Sequence, residues 1–114
     1  MKTRGELLEK LLNLHGNVTF FAQELQEYPW DIAQPLAMLT RGMVVQVLER
    51  FVRDEFDANT LEEWANLIEG REDIAFERVH KDAISEAIFQ LANPLLTVEL
   101  TKQSVSDLAK KLSN

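Results

Sequence analysis

Thr60-Leu-Glu-Glu-Trp-Ala-Asn-Leu-Ile-Glu-Gly70 decides the fold class. Leu61, Trp64, Ala65 and Ile68 recur at three- and four-residue spacing, which gathers them on one side of a helix and leaves Glu62, Asn66 and Glu69 on the other. Thr60 and Glu63 have the spacing of a capping box, in which a hydroxyl and a carboxylate satisfy orphan amides at a helix start, and Gly70 supplies a stop. Trp64 belongs to the inward stripe, so the acids of this segment face outward.

The same pattern extends in both directions. Val44, Val47, Leu48, Phe51 and Val52 predict a helix that begins near Thr40 and closes by Asp57–Asn59. Downstream, Val79, Ala83, Ile84, Ala87, Ile88 and Leu91 predict a long helix from about Asp73 or Phe76 to Ala92, stopped by Asn93-Pro94. Thr101 caps a last helix bearing Val105, Leu108, Ala109 and Leu112, with Leu100 and Val105 at the positions of a hydrophobic staple. At the other end, Thr3 to Glu6 is a second capping box, followed by Leu7, Leu8, Leu11 and Leu12 on one side and Gly16 as a stop. Asn17 can cap a short helix with Val18, Phe21, Ala22 and Leu25, although Val-Thr-Phe-Phe also suits a strand. Pro29 and Pro35 break the pattern, because each lacks an amide donor and pushes its predecessor from helical geometry. The expected fold is all-α: a compact bundle of five to six short helices with an irregular proline-containing segment at 28–40, forming one domain over 1–114.

Composition narrows the class. Hydrophobic residues make up 46% and charged residues 27% of 114, ordinary values for a globular chain. The absence of cysteine excludes disulfides, thiolate metal sites and cysteine nucleophiles. No apolar run reaches the roughly 7–15 residues of a signal peptide or the roughly 20 of a membrane span, so a soluble cytoplasmic protein is expected.

The formal charge of −7 comes from Glu49 to Glu86, where twelve acids face five bases, while the flanks balance at seven of each. Pairs at i, i+4 are expected for Glu49 with Arg53, Glu77 with Lys81 and Arg78 with Asp82, which leaves Asp54 to Asp73 unneutralised. A focused negative field speeds encounter with a basic partner and opposes nucleic acid, whose phosphates require a basic face. The bland alternative is that a soluble protein carries some net charge and this is where it sits.

Catalytic chemistry finds little support. Glu77-x-x-His80, with Asp73 four residues before Glu77, has half of the spacing used by di-iron carboxylate bundles, but the residue three before His15 is Leu12 and no second half exists. Neither a Gly-x-Ser-x-Gly elbow nor a phosphate-cradling glycine loop occurs. No catalytic residue, metal site or cofactor is therefore expected.

Leu61-Glu-Glu-Trp-Ala-Asn-Leu-Ile-Glu-Gly-Arg-Glu-Asp-Ile74, followed by Ala87-Ile-Phe-Gln-Leu-Ala-Asn-Pro94, resembles small helical bacterial proteins of uncharacterised function. The resemblance covers the chain from Leu39-Thr-Arg41 onward. In size, acidity and helical character such proteins are similar to colicin-type immunity proteins, acidic helical inhibitors of basic nuclease toxins. The expectation is a non-enzymatic protein-binding module, in which Glu62, Glu63, Glu69, Glu72 and Asp73 meet a basic protein partner. Trp30 is either an interface anchor for that contact or a plug at the end of the bundle. The alternative is a structural or self-associating helical subunit, a homo-oligomer burying the apolar segments Tyr28–Leu39 and Pro94–Leu100.

Overall fold

Helices form where the three- and four-residue apolar spacing is cleanest. The computed structural model describes residues 4–26, 28 and 35–113. Their elements run α1 (Arg4–Leu12), α2 (Val18–Leu25), β1 (Ala37–Leu39), α3 (Arg41–Val52), α4 (Ala58–Ile68), β2 (Ile74–Phe76), a 3-10 turn (Arg78–His80), α5 (Lys81–Ala92) and α6 (Lys102–Ser113). The all-α bundle stands, with a small two-stranded sheet added to it. No helix among the described residues is long and apolar enough to cross a membrane.

Caps set the helix starts. Asn17 Oδ1 accepts from the Phe20 amide at 3.2 Å and Thr40 Oγ1 from the Met43 amide at 3.1 Å. Thr101 and Ser104 cap reciprocally, each hydroxyl accepting from the other residue's amide. Helix α4 begins earlier than the Thr60 capping box implies. Asp57 is its cap, with Oδ1 accepting from the Thr60 amide at 2.9 Å. An aspartate outranks a threonine there, since its charge also favours the positive end of the helix. The box at Thr3 lies outside the described residues. Gly16 ends the turn after α1 with φ +141°, and a Cβ there would meet the Phe21 ring at 3.0 Å, so both backbone and packing demand glycine.

Two expectations are corrected around residues 37–39 and 73–80. Ala37, Met38 and Leu39 pair in parallel with Ile74, Ala75 and Phe76. Part of the segment expected to be irregular is thus a strand, and the predicted long helix starts only at Lys81. Parallel strands need a crossover, and α3 with α4 supply it. Once the 74–76 backbone bonds to β1, it is withdrawn from the helical ladder. Val79, expected on the inward stripe, consequently stands 84% exposed, and Ala83 also faces out.

The core joins the leucines of α1 to Phe21, Leu48, Trp64, Ile84, Ile88 and the apolar stripe of α6. Helix α3 lies along α6, and α4 along α5. Trp64 has no exposed surface and its Nε1 donates to the Leu11 carbonyl at 2.7 Å. Arg50 reaches from α3 to the end of α1, donating from Nη1 to the Asn13 carbonyl at 2.9 Å. Its guanidinium also lies over the Phe56 ring, 5.6 Å from the centroid.

Asp73, just before β2, is completely buried. Arg71 donates to both carboxylate oxygens at 2.8 Å, and Arg4 of α1 donates to Oδ2 from Nε at 3.0 Å and from Nη2 at 2.8 Å. Its carbonyl accepts from the Leu36 and Ala37 amides, at 2.8 and 3.3 Å, where β1 begins. Desolvation pushes the carboxyl pKa up, but the hydrogen bonds and charges of Arg71 and Arg4 together prevail and hold it below the ordinary aspartate value. Neutralising one partner of such a group strands the others without their counter-charge. Asp73→Asn is expected to cost about 3–5 kcal/mol in urea unfolding, and a loss below about 1 kcal/mol would contradict this role.

Candidate functional site

Pairing divides the acids between Asp54 and Asp73 into two sets. Asp54 bonds Lys102 of α6 at 2.7 Å, and Glu55 bonds Arg50 at 3.0 Å and Arg53 at 3.1 Å. Asp57 caps α4, and Asp73 is enclosed by arginines. A hydrogen bond from Arg50 holds the Glu55 carboxyl below its usual range, and hydrogen bonding from Thr60 does so for Asp57. Glu62, Glu63, Glu69 and Glu72 form the second set, with no basic partner among the described residues.

The placement of the expected binding residues follows. Glu62 and Glu63 project from α4, half-buried and exposed respectively. Glu63 accepts a hydrogen bond from Asn59 Nδ2 at 3.3 Å, one turn earlier. Glu69 follows the last residue of α4 and accepts from Asn93 Nδ2 at 3.3 Å, while Glu72 is exposed in the turn to β2. Asp73 does not belong to this face: its oxygens point inward and are spent on Arg4 and Arg71. Trp30 lies outside the described residues. The anticipated i, i+4 pairs are replaced by others, since Arg53 turns to Glu55 and Glu77, which precedes α5 rather than lying on it, accepts from the Arg41 amide at 2.9 Å. Asp73, Glu77 and His80 therefore fall in a turn, a strand exit and a 3-10 turn, and do not share a helix side.

Beside the glutamates lies the connector between α5 and α6, which is tightly tied. Asn93 Nδ2 donates to the Phe89 carbonyl as well as to Glu69, and Thr97 Oγ1 donates to the carbonyls of Gln90 and Asn93 at 2.9 and 2.8 Å. The amides of Leu96 and Thr97 both bond back to the Asn93 carbonyl at 3.0 Å. These bonds present Leu95 and Leu96 to solvent, at 101% and 78% exposure. Leu100, by contrast, turns partly into the core. Ala58, Asn59 and Glu62 of α4 form one wall of a groove of about 400 Å³, and Pro94, Leu95, Glu99 and Leu100 form the other.

The apolar excess of Leu95–Leu100 was visible in the sequence, whereas the groove that Glu62 and Glu99 both line was not. No protein-family model, curated protein or solved structure matches this chain.

Glu62 and Glu63 make no ion pair among the described residues, so their reversal is expected to leave the scaffold in place. Glu62→Lys with Glu63→Lys is expected to shift unfolding free energy by less than about 0.5 kcal/mol, with an unchanged far-ultraviolet circular dichroism spectrum. A shift several times larger would mean that these carboxylates hold the fold.

Proposed function

We propose that this chain is a non-enzymatic protein-binding module that sets the outer face of α4 against a basic partner surface, in the manner of an immunity-type inhibitor covering the nucleic-acid channel of a nuclease toxin. The observation that carries it is the division of the acids: Asp54, Glu55, Asp57 and Asp73 are engaged by ion pairs or a helix cap, while Glu62, Glu63, Glu69 and Glu72 remain on or next to one helix with no basic partner among the described residues. An uncompensated row of this kind raises the encounter rate with a positive surface and disfavours negative ones.

The exposed Leu95, Leu96 and Val98 favour a second reading, a self-associating subunit that buries the connector against another copy. Light scattering over a range of concentrations separates the two, since a monomer at high concentration removes self-association.

Stopped-flow association with the product of the neighbouring reading frame, where that product has a basic C-terminal domain, tests the first. The rate constant is expected to fall at least about tenfold between low and physiological salt. Reversal of Glu62, Glu63 and Glu69 to lysine is expected to slow it by about an order of magnitude at low salt. Kinetics unchanged by both salt and charge reversal would contradict the proposal.

A further inference from the structure

We infer that the groove between the start of α4 and the α5–α6 connector seats a basic peptide segment of the partner, with a branched aliphatic side chain against Leu95 and Leu100 and an adjoining lysine or arginine between Glu62 and Glu99. This rests on the partner-binding proposal and adds the place and chemistry of the contact.

Three observations converge on that occupant. The first is that Leu95 is fully exposed on a turn whose backbone is bonded at Asn93, Leu96 and Thr97. An apolar group displayed by a tied turn loses little further conformational freedom when it is covered, which favours binding. The second is charge. Glu62 and Glu99 stand on opposite walls with no basic partner among the described residues, and the neighbouring Lys102 is taken by Asp54 at 2.7 Å. A cation entering here therefore meets carboxylates that no other described residue neutralises. The third concerns a second copy of this chain. A two-fold contact across this groove sets the same acidic patch against itself, so Glu62 and Glu99 would approach the like-charged carboxylates of the other copy. A basic segment carries the opposite sign and gains where a second copy loses.

Two synthetic peptides of equal length and charge provide the test, one with leucines at i, i+3 and i+4 among lysines and the other with those leucines replaced by serine. Each is titrated into the full ¹⁵N-labelled chain. The leucine peptide is expected to shift the amides of Asn59, Glu62, Leu95 and Glu99 and to bind about tenfold or more tightly than the serine peptide. Leu95→Ser is expected to close that gap while leaving the rest of the spectrum in place. Equal affinities in the wild type, with shifts at Glu63 and Glu69 but none at Leu95, would overturn the groove assignment and leave the acidic face as the contact. Absence of shifts with either peptide would overturn both proposals. Shifts at Leu95 that follow protein concentration alone would assign the groove to a second copy and overturn this inference.

Discussion

Asp73 is buried between two guanidinium groups, one local and one remote in the sequence, Arg71 two residues away and Arg4 sixty-nine away. Moving a carboxylate from water into a protein costs several kcal/mol even after relaxation, so the fold tolerates it only with good geometry and full hydrogen bonding. Both conditions are met: each oxygen accepts at 2.8 Å, and no buried side-chain polar atom among the described residues lacks a partner. The same residue's carbonyl receives the amides of Leu36 and Ala37. One amino acid thereby fixes the seat of α1, the turn out of α4 and the point where β1 enters the sheet.

The remaining architecture is arranged around that constraint. With α1 held at Asp73, its far end meets Trp64 through the Leu11 carbonyl and Arg50 through the Asn13 carbonyl. Those contacts orient α4, because a tryptophan with no exposed surface leaves its helix no freedom to roll. Glu62 and Glu63 are therefore kept at the surface by the core beneath them. The connector after α5 is placed by the same helix, since Asn93 bonds Glu69 at its end. The acidic face and the exposed leucines are neighbours because α4 and α5 pack side by side.

Local signals in the sequence were sufficient for most of the helical frame. Asn17, Thr40 and Thr101 cap where their hydroxyl or amide groups predict, and Leu61, Trp64, Ala65 and Ile68 are buried as their spacing requires. What escaped was non-local. Ile74-Ala-Phe76 is a three-residue apolar run that periodicity cannot distinguish from a helix start, and its partner strand lies thirty-seven residues upstream. With the next helix begun at about Asp73 or Phe76, Asp73 was counted with Glu62 and Glu69 on an outward acidic row. Arg71 and Asp73 pair across a turn, and their opposite charges at i, i+2 after Gly70 were the available clue. Arg4 left no such trace. The groove lined by both Glu62 and Glu99 likewise depends on how two helices and a loop assemble.

The acids of this chain thus fall into two groups, carboxylates engaged within the fold, Asp73 the most buried of them, and glutamates on or beside α4 that have no basic partner among the described residues. The division begins with the state of Asp73. A folded pKa below the unfolded value of about 3.9 means that the unfolded chain binds the proton first. Stability from this group is then complete above that value and lost as the pH falls through the folded one. The most direct measurement is a carboxyl ¹³C NMR titration of Asp73 in the folded protein. The account predicts a side chain still ionised when ordinary aspartates are half-protonated. Protonation at or above the ordinary value would contradict it, because desolvation would then outweigh Arg71 and Arg4.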